Sequence, residues 1–183
     1  QGAKYAAVSG LGLAQIGPGG YTVRHAEPSA ISLCPAGGKL WIGTSDKGLL
    51  SYDGRVVKPE LSPDNFAGGA VRRIVEGTGG TLWIGAERGV FRVTEGRAER
   101  IFEAEDVRDL YVDGGDVWAA TTTRGLLHAR RDERFGWLVS SVAFEQGLPS
   151  EKAFSILPTE EGLLIATNRG VVTYKTSAVA PRI

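Results

Sequence analysis

The sequence predicts an all-β protein: a β-propeller of four-stranded antiparallel blades, about four and a half to five of them in this chain. Three observations carry that expectation. A unit of about forty residues repeats, glycine turns punctuate short apolar runs, and no stretch has helical periodicity. Gly 26 and Pro 8 together make nearly a fifth of the 183 residues, which suits tight turns and short strands.

The repeat is read first from its central strand. Five segments align: Tyr5-Ala6-Ala7-Val8, Trp41-Ile42-Gly43-Thr44, Trp83-Ile84-Gly85-Ala86, Trp118-Ala119-Ala120-Thr121 and Leu164-Ile165-Ala166-Thr167. Each leads through a short polar turn to a glycine, at Gly12, Gly48, Gly89, Gly125 and Gly170, spaced by 36, 41, 36 and 45 residues. A second apolar strand follows each glycine, as in Leu49-Leu50 and Val90-Phe91.

The strand before the aromatic one also recurs, as Ala30–Cys34, Val71–Val75, Val107–Val112 and Ala153–Leu157. Between the two lies a turn containing Gly37-Gly38, Gly79-Gly80, Gly114-Gly115 or Gly162. A ragged fourth strand, such as Val56-Val57 or Ala98–Phe102, completes a four-stranded meander. Strands are therefore expected near 31–34, 40–44, 49–52, 71–75, 81–85, 90–93, 107–112, 117–121, 126–129, 154–157, 163–166 and 171–174.

Central strands that are apolar on both faces suit blades stacked face to face around an axis, because both faces of each sheet are then buried. A solenoid β-helix competes, but its repeats are usually much shorter. The copies fall at about 1–27, 28–65, 66–103, 104–150 and 151–178, with 179–183 starting a linker. The first copy lacks its innermost strand and the fifth has little sequence for an outer one. The expectation is an arc of a larger ring; a five-bladed ring closed by pairing the chain ends is the alternative. With no Met in the chain, Gln1 is not a translation start, and a longer parent protein is expected.

Composition narrows function. Lys+Arg 21 against Asp+Glu 21 leaves no net charge, which removes the usual reason to expect nucleic-acid or anionic-membrane binding. No run approaches 18 apolar residues, so no membrane insertion by a helix of this segment is expected. One cysteine, Cys34, excludes an internal disulfide and reads as an inert buried thiol on an inner strand. His25 and His128 lie in different copies without partners at short spacing, so no metal, cofactor or catalytic residue is expected.

Trp41, Trp83, Trp118 and Tyr5 recur at the repeat period, and packing between blades accounts for all four. Trp137 is off register, in an apparent insertion from Arg130 to Val139, and is the candidate for an exposed aromatic contact. One polar pattern also recurs. Lys47, Arg88, Arg124 and Arg169 each precede the turn glycine in consecutive copies, with Leu11 in the first. Equivalent turns share one face of a propeller, so these four are the candidate ligand- or partner-binding rim. Asp46 and Glu87 are expected to neutralise two of them in part, leaving Arg124 and Arg169 as the better candidates.

At LWIGT followed by GLLSYDG, and LWIGA followed by GVFRVTEG, the chain resembles the two-component regulator propeller repeat. Phe144–Ser150, running into Phe154–Leu157 and Asn168–Val171, is similar to that family's linker-plus-blade pattern. The fifth copy departs, with Leu164 in the aromatic position, and the fourth has Ala119-Ala120 for Ile-Gly. The resemblance implies that the larger ring is seven-bladed and forms the periplasmic or extracellular part of a membrane-bound hybrid sensor kinase, with an immunoglobulin-like domain beginning near Ala180–Ile183. The expected function is a non-catalytic sensor segment of the cell envelope; an envelope scaffold that docks other proteins is the alternative. Expected partners are further blades or another chain at the ends of the arc, and an acidic oligosaccharide or acidic protein patch at the rim.

Overall fold

Wherever an apolar run alternates with a glycine turn, the chain forms a strand and reverses. The computed structural model describes residues 3–142 and 147–175. Among them lie five antiparallel sheets in chain order. The first holds β1 (Lys4–Val8), β2 (Gly12–Gly17) and β3 (Gly20–His25). The second holds β4 (Ala30–Ala36), β5 (Lys39–Thr44), β6 (Leu49–Tyr52) and β7 (Val57–Leu61). The third holds β8 (Val71–Glu76), β9 (Leu82–Ala86), β10 (Gly89–Thr94) and β11 (Arg97–Phe102). The fourth holds β12 (Val107–Asp113), β13 (Asp116–Thr121), β14 (Leu126–Asp132) and β15 (Gly136–Val142), and the fifth holds β16 (Ala153–Thr159), β17 (Gly162–Thr167) and β18 (Gly170–Tyr174). Among the described residues the only helical turn is a 3-10 turn at Thr78–Gly80.

Each sheet is a meander in which only neighbours in sequence pair. The opening strands β4, β8, β12 and β16 pack against one another in succession and so line the axis. Behind them each second strand meets the opening strand of the following sheet: β1 on β4, β5 on β8, β9 on β12 and β13 on β16. β1 therefore stands in the second-strand position, as the alignment of Tyr5 with Trp41 implies. The approach is close: a Cβ on Gly43 would lie 2.5 Å from the Val71 carbonyl oxygen, so β8 rests on bare β5 backbone.

Four apolar cores separate the five sheets, and the repeated aromatics sit in them. Tyr5 packs into the first core beside Leu13 and Ile42, Trp41 into the second, Trp83 into the third and Trp118 into the fourth. Cys34 is buried in the second core, and burial pushes its thiol pKa up, which fits an inert role.

The apparent insertion at Arg130–Val139 is a correction. Those residues extend β14 and begin β15, a hairpin whose turn is built by Asp132: its carboxylate accepts from Arg134 N at 2.8 Å and Phe135 N at 3.0 Å. The closed five-bladed alternative is also set aside, because the first and fifth sheets share no packed interface among the described residues. Their outward faces stay open, with Ile16, Tyr21 and Val23 exposed on one and Leu157 and Val171 on the other. The expected linker at 179–183 lies outside the described residues.

Candidate functional site

The four candidate cations stand on equivalent hairpins, β5–β6, β9–β10, β13–β14 and β17–β18, at one end of the stacked sheets. A threonine that ends the preceding strand shapes three of these turns. Thr44 donates to the Gly48 carbonyl at 2.7 Å and accepts from Lys47 N at 2.9 Å. Thr121 does the same with Gly125 and Arg124, and Thr167 with Gly170 and Arg169. In the third sheet Ala86 takes the threonine's place, and Arg88 N donates instead to the Gly68 carbonyl at 2.9 Å.

The four side chains are not equivalent. Lys47 Nζ lies 2.9 Å from Glu27 Oε2, so its counterion is Glu27 rather than its neighbour Asp46. Glu27 is buried and also accepts from the Ser29 hydroxyl at 2.8 Å. Glu87 turns to Ala70 N at 3.3 Å, and no ion pair joins it to Arg88. Arg88, Arg124 and Arg169 are exposed and make no ion pair among the described residues. Arg88 and Arg124 line one cleft of about 520 Å³ between the third and fourth sheets, together with Arg100, Glu87, Glu103 and Glu105. Arg169 stands outside it. Arg100 is already paired with Glu103 at 2.9 Å, so the cleft presents two unengaged guanidinium groups among carboxylates.

Trp137 is half-buried, with its ring 5.7 Å from Trp83 and nearly perpendicular to it, inside the core between the third and fourth sheets. The candidate exposed aromatic contact is thus a half-buried residue that packs on Trp83. With Trp83, Arg92, Arg131, Glu76 and Asp113 it lines a cleft of about 630 Å³ at the opposite end of the sheets. His128 stacks on Trp118 at 3.8 Å and lies 2.8 Å from Asp116 Oδ1. Among the described residues no cluster of His, Cys, Asp or Glu could hold a metal.

A second polar group, missed in the sequence, crosses between sheets on the axial strands. Asp109 Oδ1 lies 2.9 Å from Arg73 Nε, and Asp109 Oδ2 accepts from the Ser155 hydroxyl and from Ile156 N, each at 2.9 Å. Ser32 donates likewise to the Val71 carbonyl of the following sheet at 2.8 Å. Ser32, Arg73, Asp109 and Ser155 occupy one register position in consecutive sheets, opposite Gly43, Gly85, Ala120 and Ala166. Opposite charges at equivalent positions of adjacent repeats were the available signal. Beside them Asp106 lies 2.6 Å from Arg72 Nε and 2.8 Å from Arg108, and accepts from the Thr122 hydroxyl.

Asp106 and Glu27 set a pH dependence. Burial raises the pKa of Asp106, but the Thr122 hydroxyl and the Arg72 and Arg108 charges outweigh it and hold the carboxyl below its ordinary value. Glu27 is lowered likewise, as hydrogen bonds from Lys47 and Ser29 overcome burial. A folded pKa below the unfolded one gives stability that is full above the unfolded value, roughly 4, and is lost as pH falls through the folded one. Urea midpoints are expected to hold from pH 7 to about 5 and drop below pH 4, with a shallower drop in Asp106→Asn; an equal drop in that variant contradicts the assignment.

No protein-family model and no curated protein sequence matches the chain. Solved structures do share its fold. The extracellular domain described as that of a hybrid two component system, BT3049 from B. thetaiotaomicron, is 19% identical with TM-score 0.74, covering 97% of this chain and 26% of that one. The BT4673 extracellular domain from the same organism, described as a one component system, is 22% identical with TM-score 0.70, over 81% and 20%. PorZ, described as an essential surface component of the type-IX secretion system of Porphyromonas gingivalis, is 18% identical with TM-score 0.67, over 98% and 31%. The chain thus spans a third or less of each, and the shared feature is the propeller fold.

Proposed function

We propose that this chain is part of a non-catalytic, ligand- or partner-binding propeller of the bacterial cell envelope, a sensor segment of a two-component regulator on its periplasmic or extracellular side. In this reading further blades cover the open faces of the first and fifth sheets, since such apolar faces do not persist in water. Likeness of fold to extracellular domains of such systems supports the reading, but fold alone does not carry function.

The observation that carries it is the Arg88–Arg124 cleft, where two guanidinium groups without counterions line a cavity of ligand size. An arginine fork suits a carboxylate or sulfate, and each charge-assisted bond is worth roughly 1.5–3 kcal/mol when shielded. In this reading the two arginines take an acidic ligand: an anionic oligosaccharide or an acidic segment of a protein. The second reading, an assembly propeller docking other envelope proteins, is favoured by Glu87, Glu103 and Glu105 in the same cleft, which suit a partner carrying both signs.

Titration of the intact protein with matched acidic and neutral oligosaccharides, and with an acidic peptide, separates these. Arg88→Ala plus Arg124→Ala is expected to weaken acidic binding about tenfold or more and to flatten its salt dependence, while Arg169→Ala changes little. Unchanged affinity in the double variant removes the cleft from the account. In the complete gene, a sensor is expected to continue into an immunoglobulin-like domain, a membrane helix and a kinase, and a scaffold is not.

A further inference from the structure

The outermost strands of the sheets are edges, and proteins blunt edges with charge, proline or a bulge. Three of the four full edges follow that rule. β3 carries Arg24, β7 carries Lys58, Pro59 and Glu60, and β11 carries Arg97, Glu99 and Arg100. All three also pair with a register shift, at Leu13/Ala14, Leu49/Leu50 and Val90/Phe91.

β15 breaks the rule on every count. Gly136-Trp137-Leu138-Val139-Ser140-Ser141-Val142 has no charge and no proline, and it is the longest of the four. Its seven registered residues run beside β14 from Leu126↔Val142 to Asp132↔Gly136 without a shift. Leu138 and Val139 are about two-fifths exposed, and Phe135 at the adjoining turn is three-quarters exposed.

We propose that β15 is a pairing edge for the β15 of a second copy of this protein, joining two fourth sheets into one eight-stranded antiparallel sheet. The strand is self-complementary about its middle residue. A two-fold axis at Val139 sets Val139 beside its own copy, Leu138 opposite Ser140 and Trp137 opposite Ser141. No like charges meet. Arg130 and Arg131 lie one strand inward on β14, so each is three strands, roughly 14 Å, from the copy's β14 and beyond a Debye length, and Arg134, in the turn that precedes β15, stands at the opposite end of the paired strands from its own copy. An uncharged edge offers nothing by which to select a foreign strand, whereas its two-fold match suits its own. The inference does not depend on the arginine cleft.

Cysteine cross-linking of the intact protein tests it, since the native Cys34 is buried. Across a two-fold at residue 139 the two β-carbons come about 4.5–5.5 Å apart, within reach of a disulfide after small movement. Under mild oxidation Val139→Cys is expected to shift from monomer to dimer mass on a non-reducing gel, and Lys58→Cys on the β7 edge is not. Val139→Lys and Val139→Glu, each folded by circular dichroism, are expected to lose the pairing alone and regain it when mixed, read as a disulfide between Leu138→Cys added to one and Ser140→Cys added to the other, which the register sets opposite each other. Cross-linking of Val139→Cys no greater than that of Lys58→Cys overturns the proposal, and so does capture of a different protein's strand at this edge in place of the copy.

Discussion

Asp109→Ala is expected to lower the unfolding free energy by about 2–4 kcal/mol. Asp109 is 8% exposed, and its two oxygens hold Arg73 of the third sheet together with Ser155 and Ile156 of the fifth. Arg73 is half-exposed and recovers water when its partner goes, so the ion pair itself accounts for little of the loss. The buried Ile156 N–H has no such recourse, and an orphaned buried donor costs about 1–3 kcal/mol. Asp109→Asn retains an acceptor oxygen and is expected to cost less than alanine. Urea unfolding of the three proteins at pH 7 provides the comparison, and equal losses for alanine and asparagine would show that the acceptor for Ile156 N–H is not the cause.

Gly89→Val is expected to cost about 3 kcal/mol, from two sources. Gly89 has φ +142, a conformation that side chains with a Cβ rarely adopt, and a Cβ built there lies 2.5 Å from the Phe102 carbonyl oxygen. A backbone atom of the paired strand β11 cannot swing aside as a side-chain tip could. The equivalent Gly170 has φ +114 but no atom of the described residues within 4 Å of such a Cβ, so Gly170→Val is expected to show the backbone strain alone, about 1–2 kcal/mol. A parent-like thermal midpoint for Gly89→Val would contradict the hairpin geometry at β9–β10.

The repeat was legible because each core between sheets needs a large side chain at one place. Trp41, Trp83 and Trp118 mark it, and the glycine after each hairpin fixes the period. The fourth strands were harder to read, since an edge strand is buried on fewer sides and loses its alternation. Arg130-Arg131-Asp132 looked like a polar insertion; the signal for a hairpin was Asp132 followed by Gly136, turn chemistry rather than periodicity. Lys47 and Glu27 are twenty positions apart, on a hairpin and on the connection into the second sheet, and nothing local links them. Glu87 misled for the converse reason, because neighbours along a strand or turn point in different directions. Of the predicted rim, position was legible and engagement was not.

The account rests on these five sheets being consecutive blades of a larger ring, and a structure of the intact protein tests that most directly. The fifth sheet presents Leu157, Leu164 and Val171 at the positions where Cys34, Trp41 and Leu49 of the second sheet meet the third, with Ala166 in the place of Ala120 of the fourth sheet. The expected result is the opening strand of another antiparallel sheet seated against Ala166, with Leu157 and Val171 falling from more than half exposed to buried. The contradicting result is the same face left in solvent, or covered by a helix or loop instead of a blade.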